Sequence, residues 1–116
     1  MRTVFHVSSP DPHDHNHAMV NVLNLLADDT VSVDGDAVAL VTNGGAIRMF
    51  LDPTSEHPDV VERLREAGVA LCVCGNALRG QGFSEADLLP GVEVVRSGVG
   101  ELARLQADGF GYVKAP

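Results

Sequence analysis

The sequence has no tryptophan, one tyrosine and four phenylalanines, so it carries no basic, aromatic-rich patch on which nucleic-acid bases would stack. Lysine is equally scarce: Lys114 stands alone beside seven arginines, giving eight basic residues against sixteen acidic ones. The resulting formal charge of −8 repels phosphate backbones and anionic lipid, which argues against nucleic-acid and membrane partners. Long apolar runs are missing as well. The longest, Ala37–Val41 and Val69–Cys74, fall far below the ~20 residues of a membrane span. Cysteine is limited to Cys72 and Cys74, too few for a secreted disulfide scaffold. Two residues apart in an extended strand, their Cα atoms lie about 6.5–7 Å apart, at the limit of disulfide geometry. Two thiols held in this way fit a reducing, cytoplasmic setting. The opening Met1-Arg2-Thr3-Val4-Phe5-His6-Val7 lacks the basic stretch and apolar region of a signal peptide and reads as a first strand.

What is present describes one folded domain spanning residues 1–116. Hydrophobic residues make up 45% and charged residues 21%, enough to build a core without staples. Short apolar runs alternate with amphipathic stretches. Val4–Val7, Ala37–Val41, Val69–Cys74, Val92–Val95 and Phe110–Val113 read as strands. Between them, a helix begins near Asn16 with apolar residues around most of its circumference, and a short one covers Ala46–Leu51. Another opens at His57-Pro58, with proline at its first position, and Gly68 suits its end. Gly75–Arg79 is a further short helix, and Ser84 three residues before Asp87 resembles a capping box. The last helix, Gly98–Gln106, offers Val99, Leu102, Ala103 and Leu105 to the core. Strands separated by helices predict an α/β fold: three layers, with a five-stranded, mainly parallel sheet covered by helices on both faces, as in flavodoxin-like layering.

In such a sheet the useful crevice lies beyond the carboxyl ends of the strands. Four segments fall there: Pro10–His17, Asn43-Gly44-Gly45, Cys74-Gly75-Asn76 and Ser97-Gly98-Val99-Gly100. Cys74 is the sharpest candidate, because it stands at a strand-to-helix junction where the amides of Gly75, Asn76 and Ala77 stabilise a thiolate. A buried cysteine that merely packs is the competing explanation; for Cys72, inside the strand, core packing is the better one. The run His13-Asp14-His15-Asn16-His17 offers alternating imidazoles, but structural zinc wants four ligands, and a solvated turn before the helix explains the run without a metal. One of His13, His15 and His17 at the same sheet edge would also suit acid–base work beside Cys74. His6 reads as a hydrogen-bonded core histidine and His57 as a helix-start residue. Asn43-Gly44-Gly45 and Gly98-Val99-Gly100 present backbone amides to an anion, although neither matches a Walker loop or a dinucleotide fingerprint.

The chain resembles the DsrE/DsrF-like family of small α/β proteins linked to intracellular sulfur relay. The likeness runs through Val4-Phe5-His6-Val7, Asn21-Val22-Leu23-Asn24-Leu25-Leu26, Val41-Thr42-Asn43-Gly44, Cys74-Gly75-Asn76-Ala77-Leu78 and Leu88-Leu89-Pro90-Gly91-Val92. It closes on Ser97–Gln106 and Gly109-Phe110-Gly111-Tyr112-Val113. The resemblance implies a five-stranded parallel sheet and a homo-oligomer, trimeric or hexameric, with sulfur-donor and acceptor proteins as partners. It also implies that Cys74, in the position after the third strand, accepts sulfur as a persulfide without an organic cofactor. The segment Gly75–Gly82 is offset from the small-residue run of the relay members. The reading that follows is a sulfur carrier acting through Cys74, with the His13–His17 stretch and Asn43 shaping its pocket. The alternatives are a non-catalytic module that holds a small anion or nucleotide in the same crevice, and metal binding by the histidine run.

Overall fold

A computed structural model describes all of residues 1–116. Its five strands are β1 (Arg2–Val7), β2 (Ala37–Thr42), β3 (Ala70–Cys74), β4 (Val92–Val95) and β5 (Gly111–Lys114). They form one sheet in the order β4-β3-β2-β1-β5, and every pairing is parallel. The helices are α1 (Pro12–Ala27), α2 (Pro58–Glu66), α3 (Gly75–Gly80) and α4 (Gly98–Ala107), and Gly44–Phe50 is a 3₁₀ helix. No helix is long and apolar enough to cross a membrane.

The direction of travel through the sheet decides which face each helix covers. From β1 to β4 each strand is laid beside the last in one direction, so right-handed crossovers put α1, α2 and α3 on the same face. From β4 the chain returns across the whole sheet to β5, and the same handedness sends α4 to the opposite face. The side chains follow the two-residue period of strands. Phe5, Val7, Val38, Leu40, Leu71 and Val73 point into the larger core with Met19, Val22, Ile47, Phe50, Leu64 and Leu78. On the other face Val4, Ala39, Val41 and Cys72 meet Leu102 and Leu105 of α4, with the partly buried Val95 and Phe110 beside them.

Local sequence explains the boundaries. Asp11 caps α1 by accepting from the His13 amide at 2.9 Å, and Pro12 occupies the first helical position. The helix therefore starts at Pro12, ahead of the expected Asn16, and the histidine run is its first turns. Its buried stripe is His15, Ala18, Met19 and Val22, spaced as one helical face. Val20 is exposed, and Leu23, Leu25 and Leu26 are only partly buried, so the helix is less enclosed than its composition predicts. Pro58 opens α2 after His57, and Gly68, at φ +84°, follows its end in a conformation that other residues resist. Ser84 and Asp87 form the expected capping box around a single 3₁₀ turn. In α4 the expectation is corrected: Leu102 and Leu105 are buried, whereas Val99 is 68% exposed and Ala103 also faces outward. A lone helix lying on a sheet buries one stripe, and Val99 and Ala103 fall off it.

Truncating Leu40, fully buried between β1 and β3, should cost about 2–5 kcal/mol of unfolding free energy. Val99→Ala should stay within about 0.5 kcal/mol. Urea denaturation of the two variants checks both values, and a large loss for Val99→Ala would contradict the exposure of that residue.

Candidate functional site

The fold creates one switch point. The connection leaving β3 runs over the larger core while the one leaving β4 passes to the opposite face, so a crevice opens between their carboxyl ends. Cys74 is the last residue of β3 and the N-cap of α3. Two glycines fit it there. A Cβ at Gly98 would stand 3.3 Å from Cys74 Cβ and 3.1 Å from Asn43 Cβ, and one at Gly75 would fall 2.9 Å from the Val95 carbonyl oxygen. Glycine at these positions lets α4 approach Cys74 and lets α3 turn away beside β4.

The adjoining crevice, about 580 Å³, is lined by Asn76, Val95, Arg96, Ser97, Gly100, Glu101 and Arg104. Ser97 caps α4, its hydroxyl accepting from the Gly100 amide at 2.9 Å. Arg104 grips Glu101 through two hydrogen bonds of 2.7 and 2.9 Å, which neutralises that carboxylate and holds its pKa below the usual range. Arg79 donates to Asn76 Oδ1 at 2.7 Å, and neither Arg79 nor Arg96 has a carboxylate partner. Three of the eight basic residues of an acidic chain thus gather at this edge. The local field favours an anion.

The two thiols face the same side of the sheet in different surroundings. Cys72 is 3% exposed beneath α4, and burial, with Glu101 and Glu93 nearby, pushes its thiol up to about 12. It is a neutral core residue at physiological pH. Cys74 is 6% exposed and ends the strand at the crevice.

Asn43 continues the site away from α3. Its Oδ1 accepts from His6 Nε2 at 2.9 Å, and that contact fixes the tautomer, leaving His6 Nδ1 to accept from the Tyr112 hydroxyl at 2.6 Å. Burial lowers the His6 pKa below the ordinary 6.5; the Asn43 hydrogen bond opposes this and the Lys114 charge adds to it. His6 thus braces Asn43, and through it the wall next to Gly98. Sequence patterning identified a hydrogen-bonded His6 but not its partner on β5, since only the register of β1 with β5 brings Tyr112 alongside.

The remaining candidates lie elsewhere. His13, His15 and His17 are on α1, across the sheet from α4, and their spacing turns them in different directions around the helix. His13 and His17 are exposed, while His15 is buried and bonds to the Ser9 carbonyl at 2.6 Å. They do not converge with Cys74, and no cluster of three or more His, Cys, Asp or Glu is arranged to hold a metal ion. Gly44 and Gly45 begin the 3₁₀ helix and pack on the β1–α1 loop: a Cβ at Gly45 would fall 2.5 Å from Pro10 Cβ. The edge predicted as one site is therefore divided. Cys74, Gly75, Asn76, Ser97, Gly98 and Asn43 come together, and the histidines do not join them.

The chain belongs to the DsrE/DsrF-like family, which it matches over residues 1–115. Among solved structures it is similar to the protein of unknown function MTH1491 from Methanobacterium thermoautotrophicum, with 34% identity, 97% of each chain covered and a TM-score of 0.88. It is also similar in fold to the ychN protein of E. coli, at 16% identity and a TM-score of 0.78, over 98% of this chain and 99% of that one. No curated protein matches the chain. Membership supports a role related to sulfur relay in general.

Two predictions follow from these environments. With Cys74 replaced by serine, the protein should resist iodoacetamide at about pH 8 while native, because Cys72 stays protonated and enclosed, and should label once unfolded in urea. Intact mass reads both states, and rapid native labelling would contradict the burial of Cys72. For His6 the folded state disfavours the proton, so the unfolded state binds it more readily; the stability due to neutral His6 is present above the ordinary pKa near 6.5 and is lost as pH falls below it. Melting temperatures measured from about pH 7.5 to 5.5 should fall less steeply for His6→Gln than for the wild type. Equal slopes would remove His6 as the cause.

Proposed function

We propose that the protein is a sulfur carrier of the sulfurtransferase-like kind, in which Cys74 holds sulfur as a persulfide. The observation that carries this reading is the position of Cys74 at the β3–β4 switch point, beside a crevice bearing Arg96 and next to the Arg79–Asn76 pair. The sulfur-relay association of the family supports it. In the loading step the Cys74 thiolate attacks the terminal sulfur of a donor persulfide. A new S–S bond forms at Cys74 Sγ, the donor's own S–S bond breaks, and the donor leaves as a thiolate that takes up a proton. Oxidation states balance, so no organic cofactor enters. The anionic persulfide then faces the arginine edge, and Asn43, braced by His6, forms one side wall.

The same reading includes a homo-oligomer, trimeric or hexameric, in the cytoplasm, with separate sulfur-donor and acceptor proteins. All four residues of the edge strand β5 are exposed, with Tyr112 at 42% and Val113 at 41%, which supports association of copies through that edge. A second reading, in which the β3–β4 crevice retains a small anion or nucleotide without chemistry, is favoured by the unpaired Arg96 and by a volume within the ~300–1,000 Å³ of ligand sites.

Intact mass after polysulfide or desulfurase treatment tests the first reading. Wild type and Cys72→Ser should each gain reducible sulfur, and Cys74→Ser should gain none. Equal loading of both single variants would overturn the assignment to Cys74. Thermal stabilisation by a nucleotide that persists in Cys74→Ser would favour the second reading.

A further inference from the structure

A second polar cleft lies on the face of the sheet that carries α1 and α2. At about 160 Å³ it is smaller than the ~300–1,000 Å³ of sites for drug-sized ligands, so it admits only a small group. Its walls are the start of α1, the 3₁₀ helix, the Thr54-Ser55 loop and the start of α2.

Several polar groups here have no partner in the chain. Ser55 Oγ is buried and makes no hydrogen bond, an unfavourable state for a hydroxyl. Its position is fixed, because the Ser55 amide donates to the Leu51 carbonyl at 2.8 Å and Thr54 Oγ1 donates to the Arg48 carbonyl at 2.7 Å. The Arg48 guanidinium lies 5.6 Å from the Phe83 ring centroid and pairs with no carboxylate. His15 is 4% exposed, and because its Nε2 donates to the Ser9 carbonyl, a neutral ring presents the Nδ1 lone pair. At the opening of α2, Pro58 carries no amide hydrogen and the Val60 and Val61 amides bond to the His57 carbonyl, so the Asp59 amide is the one left without a partner there.

This inventory specifies a ligand. Arg48, Ser55 and the Asp59 amide donate, a set that suits an oxyanion. The His15 lone pair and the exposed Glu56 carboxylate in the same wall accept, which requires an O–H on that oxyanion. At neutral pH hydrogen phosphate carries both O⁻ and O–H, whereas sulfate carries only O⁻. We propose that this cleft is a binding site for the inorganic hydrogen phosphate ion, separate from the Cys74 crevice and independent of sulfur chemistry.

Amide spectra of the ¹⁵N-labelled protein, titrated with potassium phosphate and then with sulfate at matched ionic strength, test the site. The amides of Ser55, His57 and Asp59 should shift and saturate with phosphate, and sulfate should need at least about tenfold higher concentration, since a site built to accept from an O–H rejects a ligand lacking it. Arg48→Gln and Ser55→Ala should each raise the half-saturating phosphate concentration by about tenfold or more, with the undisturbed remainder of each spectrum reporting a folded chain. Cys74→Ser should respond as the wild type does, so failed sulfur loading leaves this result unaffected. Cleft amides that do not move, that respond equally to both anions, or that respond to phosphate unchanged in both variants would overturn the proposal.

Discussion

Right-handedness of the crossovers is the constraint on which the rest of the structure depends. The sheet grows in one direction from β1 to β4, and β5 then lies on the far side of β1, so the last connection must run back across the sheet. That reversal alone sends α4 to the second face, where α4, with Phe110 just beyond it, covers Val4, Ala39, Val41 and Cys72. The same reversal places the switch point between β3 and β4. The chain therefore acquires its thin second layer and its crevice from one topological event. Gly98 is the local condition for it, because the first turn of α4 must pass against both Cys74 and Asn43.

Two cysteines on one face, separated by a single residue, are thereby given different surroundings. Cys72 falls under α4, where apolar cover and the carboxylates of Glu101 and Glu93 all oppose ionisation. Cys74 is one pleat further along, where the strand ends, α3 begins, and the charged neighbours in the adjoining crevice are mostly arginines. The net charge of −8 says nothing of this local reversal. A global charge argues about solubility and long-range partners, while the placement of Arg79, Arg96 and Arg104 governs what reaches one edge.

Much of this was legible in the sequence, for identifiable reasons. The strands were marked by β-branched runs between glycine and proline punctuation, and Val92–Val95 coincides with β4. Pro58 after His57, Gly68 and the Ser84–Asp87 pair act within a few residues, so local chemistry identified them. Cys74 at the end of β3 was legible for the same reason. The histidine run was not. Its signal was present, since extending the stripe of Ala18, Met19 and Val22 back by one helical turn reaches His15, with Asp11-Pro12 as the start. Reading the run as a solvated turn before a helix that begins near Asn16 hid that continuation. Val99 illustrates a second kind of failure. Periodicity shows which residues share a face, but not how wide a stripe the partner surface will cover.

The strand order explains why the predicted single edge became two sites. All the carboxyl ends of a parallel sheet lie on one side, and sequence alone therefore assigns every polar loop to a common crevice. Whether neighbouring loops cooperate depends on which face their helices take. The β1 and β2 loops are carried toward α1 and the 3₁₀ helix and pack against each other where Pro10 meets Gly45. The β3 and β4 loops part across the sheet and leave the crevice at Cys74. Asn43 is the exception, because it ends an extended stretch just after β2 and bonds back to His6 on the α4 side. It thus borders Cys74 while its neighbours Gly44 and Gly45 turn to the other face. Asn43 of the Asn43-Gly44-Gly45 turn borders Gly98 and Cys74, and Gly45 packs on Pro10, a wall of the cleft of Arg48, Ser55 and His15. The boundary between the two clefts accordingly runs through a single peptide bond, between Asn43 and Gly44.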